Sequence, residues 1–148
     1  MRRLAVIAAA FLIASCTDSA SSLRSKLAAA EAQLDQQSGD ATKVVAFTPT
    51  SHPYTIIFFP ERRVFESELI ARGVDAVVAK RIFHDLSRYG VGEKERPMVV
   101  VAEQGKPPSY TGYRFYIDGL MIVKKPAGGE VQLTLEKRGD TYYLTDAH

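Results

Sequence analysis

The second half of the chain constrains the fold most, because its apolar residues keep a period of two. Tyr113, Phe115 and Ile117 alternate with Arg114 and Tyr116, and Val131, Leu133 and Leu135 alternate with Gln132, Thr134 and Glu136. That period belongs to strands with one face in a core and one in water. Asp118-Gly119 is a two-residue signal for a tight hairpin and predicts a return strand over Leu120 to Lys124. Pro126 to Gly129 turns the chain again. Arg138-Gly139-Asp140 is the last turn before a strand over Thr141 to Thr145; Gly supplies positive φ and Asp a local side-chain bond. Strands tied by short turns pair antiparallel.

Upstream, Val44 to Phe47 and Thr55 to Phe59 are short β-branched and aromatic runs, with Pro49 and Pro53 between them and Pro60 after, and Met98 to Ala102 is a third such run. From Phe65 to Tyr89 the period becomes helical. Gly73 divides this segment into a short helix near Glu66 to Arg72 and a longer one from about Val74 to Tyr89, ended by Gly90. Val74, Val78, Ile82 and Leu86 give the longer helix one apolar face. The expected domain, residues 44–148, is therefore α+β: an antiparallel sheet covered by one long helix, in two layers.

Before this domain, Leu23, Leu27, Ala30 and Leu34 are spaced as the seam of a coiled coil, with Lys26 and Glu31 five residues apart at g and e. A separate tether helix within residues 16–43 is expected from them. Self-association through the seam is one reading. A solvated spacer, or a helix laying its leucine stripe on the domain, are the others, since the seam is barely two heptads long.

Met1-Arg2-Arg3 precedes an apolar run from Leu4 to Ala14, and Ile13-Ala14-Ser15-Cys16 ends it at the only cysteine. The run is too short for a span, which needs about 20 residues. A basic start, a short apolar stretch and small residues before a cut mark a secretory signal. With cysteine at the cut, the segment resembles the lipobox of bacterial lipoprotein precursors. That resemblance implies a signal peptide over residues 1–15 and an acylated Cys16 as the first mature residue. Thr17 rather than Asp after the cysteine implies the outer membrane, periplasmic face. The helix behind it loosely resembles the lipidated stalk of the major outer-membrane lipoprotein.

Removing Arg2 and Arg3 with the signal leaves 17 basic and 17 acidic side chains. No run of like charge points to nucleic acid or to a polybasic membrane patch. With one cysteine no internal disulfide can form, so a hydrophobic core must supply stability.

Chemistry is sparse. Ile70 to Ile82 resembles the helix-turn-helix of transcription factors, but an exported protein meets no DNA, and a plain helical corner is expected. His84-Asp85 resembles the paired ligands of HD-type phosphohydrolases, yet His52 and Asp118 sit in loops where that family uses helices. Three histidines do not supply the converging ligands a metal needs. Ser51-His52 lacks the strained elbow of serine hydrolases. No catalytic residue, metal or cofactor is therefore expected.

The remaining candidates are the clustered aromatics of the meander. Tyr113, Tyr116, Tyr142 and Tyr143 are the candidate partner-binding residues: if one sheet face is core, alternation puts Tyr116 and either Tyr142 or Tyr143 on the other, and tyrosine is enriched at interface centres. The expected function is a docking or structural module of an envelope complex, not an enzyme, with an envelope protein as partner. The alternative is a small periplasmic hydrolase or ligand binder using the loop around His52.

Overall fold

The computed structural model describes residues 18–88 and 98–148. The expected signal peptide, Cys16, the expected helix stop at Gly90 and the charged turn Glu93 to Arg96 lie outside the described residues. Helix α1 spans Ser19–Asp35, strands β1 and β2 span Ala41–Phe47 and Tyr54–Phe59, and helices α2 and α3 span Glu66–Ala71 and Ala76–Arg88. Five strands follow: β3 Met98–Glu103, β4 Ser109–Gly112, β5 Met121–Lys125, β6 Val131–Arg138 and β7 Thr141–Ala147. The α+β class and the antiparallel pairing are as expected, but the strands divide into two sheets, ordered β1-β6-β7 and β4-β3-β2-β5.

The second sheet is buried on both faces. Ile56, Phe58, Val99, Val101 and Val123 look toward the first sheet and α1, where Leu133, Leu135, Leu144 and Phe115 complete one core. Ile57, Phe59 and Val100 look the other way and meet Leu69, Val74, Ala79, Ile82 and Leu86 of the α2–α3 corner. Three layers replace the two expected. The first sheet keeps one wet face, so Val131, Leu133 and Leu135 are buried while Gln132 is exposed.

The separate tether helix is corrected by this packing. Leu23, Leu27, Ala30 and Leu34 are only 0–2 % exposed and belong to the core between the sheets. The helix packs against β1 of one sheet and β3 and β4 of the other, closing that side of the sandwich. The seam is thus spent inside the domain and unavailable to a second helix. Glu31 pairs with Arg114 at 2.8 Å, the place a partner lysine would have taken. Asp18 caps the helix by accepting from the Ser21 N–H at 2.7 Å.

The expected hairpin at Asp118-Gly119 is also corrected. The segment from Tyr113 to Leu120 forms no regular strand; β4 lies earlier, at Ser109–Gly112, and pairs with β3, while β5 pairs with β2. Tyr113 is fixed by its side chain instead: its hydroxyl donates to the Phe59 carbonyl at 2.7 Å and its ring meets Phe58 edge-on. The β6–β7 hairpin over Gly139-Asp140 forms as expected.

Between α2 and α3 the chain turns through Gly73, whose φ of 95° is the left-handed region that favours glycine. Asp75 then caps α3, accepting from the Val77 and Val78 N–H groups at 3.0 and 3.2 Å. The register gives the molecule two poles. The start of α1, the loops over residues 48–53, 104–108 and 126–130, and the first turn of α3 gather at one. The end of α1 and the turn at Gly139-Asp140 lie at the other, joined by a hydrogen bond from the Gly139 N–H to Asp40 at 3.1 Å.

Candidate functional site

Two of the tyrosines expected to form a partner face are core residues. Tyr142 is 8 % exposed, its ring meets Phe115 at 5.8 Å, and its hydroxyl donates to Asp35 at the end of α1. Tyr113 is half-buried, and burial pushes its phenol well above the ordinary range. The alternation of β7 puts Tyr142 on the buried face with Leu144, and the inward turn of residues 113–115 carries Phe115 and the Tyr113 ring toward the same core.

Tyr116 and Tyr143 remain at the surface and come together. Tyr116 is 46 % exposed, and its ring lies 6.1 Å from that of Tyr143 at 43°. Its backbone is locked onto the outer edge of β7: the Tyr116 N–H donates to the Tyr142 carbonyl and the Leu144 N–H donates to the Tyr116 carbonyl, both at 2.9 Å. Reading the sequence as turn chemistry at Arg138 misses a third member. The Arg138 guanidinium lies 4.5 Å over the Tyr143 ring and is held by Glu136 at 2.9 Å. The hairpin register carries the missed signal, because it sets Glu136 opposite Tyr143 and brings Arg138 to the same face two residues on. Arg138 chiefly, through its hydrogen bonds, holds the Glu136 carboxyl below its ordinary range.

The arrangement is a preorganised aromatic and cationic surface. A concavity of about 390 Å³ adjoins it, with Pro60, Arg62, Ile117, Asp118 and the two tyrosines in its wall. Its chemistry is recognition: flat rings, phenol hydroxyls and a guanidinium whose position is fixed before any partner arrives.

His52 belongs to a different cluster. Its Nδ1 lies 3.2 Å from Glu103 and 3.3 Å from the Thr50 hydroxyl, Thr50 also donates to Glu103 at 2.8 Å, and Lys106 sits 3.3 Å from the same carboxylate. Ser19, the first residue of α1, donates to the other oxygen of Glu103. Burial opposes ionisation of Glu103, but the hydrogen bonds from Ser19 and Thr50 and the Lys106 charge outweigh it and leave the carboxyl below its ordinary value. Nucleophilic catalysis needs a hydroxyl on the imidazole with a carboxylate behind it. Here the Thr50 hydroxyl and the Glu103 carboxylate both sit on Nδ1 of His52 rather than on opposite ring nitrogens, and the Ser19 hydroxyl is on the carboxylate. The cluster is a latch tying α1 to the loops of its pole.

Beside the latch runs an open groove of about 940 Å³ between the first turn of α3 and the 104–108 turn. Among the described residues no helix is long and apolar enough to cross a membrane. Comparison with protein-family models, with curated proteins and with solved structures finds no match to this chain.

Proposed function

We propose that this chain is a lipoprotein of the outer membrane, acylated at Cys16, whose α+β domain docks an envelope protein through Tyr116, Tyr143 and Arg138. The observation that carries the docking reading is the contact of the Tyr143 ring with both the Tyr116 ring and the Arg138 guanidinium at the surface beside β7. Tyrosine and arginine dominate the energetics of protein interfaces, and two-torsion aromatic side chains lose little entropy on binding. Tyr116 loses less still, since two backbone hydrogen bonds already hold it. The lipidated cysteine rests on the lipobox-like sequence, and the choice of the outer over the inner membrane on Thr17 behind it. The candidate machines are secretion or conjugation complexes and outer-membrane assembly, and the sequence selects none of them.

The test is crosslinking in intact cells with a photoreactive residue at position 116, followed by mass spectrometry of the adducts. One dominant envelope protein, recovered again from position 143 and lost in Arg138→Ala, is the expected result. No adduct from either position sinks the docking face. Loss of palmitate incorporation in Cys16→Ser tests the anchor separately.

A further inference from the structure

We propose that the domain does not hang from its lipid but sits directly on the leaflet that anchors it, with the groove beside the latch facing the phospholipid headgroups. The inference rests on the lipoprotein reading above and adds an orientation and a contact surface to it. Chain length limits how far the domain can stand from its lipid. Asp18 already caps α1, and α1 is built into the core. Two peptide links separate Asp18 from Cys16, so the domain can stand off the lipidated residue by only about 7 Å. That is less than the Debye length of about 8 Å at physiological salt, so charges at this pole feel the leaflet surface.

The latch then decides which surfaces share that pole. Ser19 is bound to Glu103 at the end of β3, and the Ala20 N–H donates to the Ser109 hydroxyl at 3.1 Å at the start of β4. The turn between those strands, Gln104 to Pro108, therefore lies beside the anchor, and it is one wall of the groove. The opposite wall is the first turn of α3. Val77 stands there 77 % exposed, the most exposed large apolar side chain among the described residues. Arg81, Lys106, Lys124 and Lys125 line the groove with Asp75 and Glu103. Arg81 is held by Asp85 at 3.0 Å and Lys106 by Glu103 at 3.3 Å, so the net positive charge of the rim comes from Lys125 and from Lys124, which donates to the Gly73 carbonyl at 2.7 Å. Apolar tips at Val77, Pro107 and Pro108 beside a basic rim match a headgroup layer, which takes apolar groups at its acyl boundary and cations at its phosphates. The same orientation leaves the turn at Gly139-Asp140 pointing away from the membrane.

The single native cysteine makes the test direct, because an acylated Cys16 leaves an introduced thiol as the only site for a maleimide dye. Full-length Val77→Cys and Asp140→Cys proteins, processed in cells, are labelled and reconstituted in vesicles of phosphatidylethanolamine with a minority of phosphatidylglycerol. Nitroxide-headgroup lipid then serves as quencher. Position 77 is expected to lose most of its emission while position 140 keeps it, and replacing Lys124 and Lys125 by glutamine is expected to weaken the quenching at 77. Equal quenching at both positions, none at either, or quenching at 140 alone overturns the seating. In those three cases palmitate incorporation at Cys16 still stands, so the anchor survives. Absence of palmitate removes the anchor, and the seating with it.

Discussion

Shortening Leu27 to alanine separates an integral α1 from a dangling one. Leu27 is 2 % exposed and lies in the core between the two sheets. Truncation removes three carbons from that core, worth about 2.4 kcal/mol at about 0.8 kcal/mol per methylene, and the residual cavity raises the range to about 2–5 kcal/mol. Alanine returns only a few tenths of a kcal/mol through its higher helix propensity. A net loss of about 3 kcal/mol follows for Leu27→Ala, and a similar one for the fully buried Leu23. With a urea m-value of about 1–3 kcal/mol per molar, the midpoint falls by about 1–3 M. The chain has no tryptophan, so far-UV circular dichroism is the assay. Arg24→Ala, on the exposed face of the same helix, is the control and should stay within about 0.5 kcal/mol of the parent. If Leu23→Ala and Leu27→Ala unfold at the same urea concentration as Arg24→Ala, the helix is a solvated tether and the core described above is wrong.

Two further outcomes concern single residues at the anchor pole. Asp75→Ala removes the acceptor for the Val77 and Val78 N–H groups and should cost about 1 kcal/mol, with Asp75→Asn recovering most of it; equal midpoints for the two variants would count against the cap. Glu103 is held below its ordinary value in the folded state, so the native protein binds fewer protons there than the unfolded chain. Its contribution is complete above the unfolded value of about 4.3 and disappears as pH falls through the lower folded value. The stability gap between the parent and Glu103→Gln should therefore narrow from neutral pH to about pH 3, and a gap that does not change with pH would refute the latch.

Periodicity carried the strands and failed at the third dimension for identifiable reasons. The alternation of Val131, Leu133 and Leu135 is legible because their sheet has a wet face. Ile56-Ile57-Phe58-Phe59 and Val99-Val100-Val101 do not alternate, and such unbroken apolar runs are the mark of strands buried on both sides. Their message was a second covering layer. The stripe of α3 covers one face only, which leaves the opposite face in need of α1. The 4-3-4 spacing of Leu23, Leu27, Ala30 and Leu34 could not reveal this alone, since a coiled-coil seam and a core-facing stripe share that spacing. At the candidate site, sequence found Tyr116 and Tyr143 but could not sort them from Tyr113 and Tyr142. For Tyr113 and Tyr116 the sorting depends on residues 113–115 turning inward, a tertiary event with no local signature; for Tyr142 and Tyr143 it depends on which face of β7 meets the core, which alternation alone leaves open.

The burial of α1 changes what kind of docking module the chain can be. A flexible stalk would let Tyr116, Tyr143 and Arg138 search a wide volume, and a partner would bear the entropy of fixing it. With α1 inside the core, only two peptide links remain between the cap at Asp18 and the proposed lipid at Cys16. The Tyr142 hydroxyl donates to Asp35 and the Lys137 ammonium to the Gln37 carbonyl, which places the end of α1 beside the β6–β7 turn and that turn away from the proposed anchor. Seventeen helical residues at about 1.5 Å each hold the two ends of α1 about 25 Å apart. On the proposed seating, the turn and the Arg138 beside it are presented near one fixed height above the leaflet. A partner selected at that height gains effective concentration from the shared membrane without any added contact area.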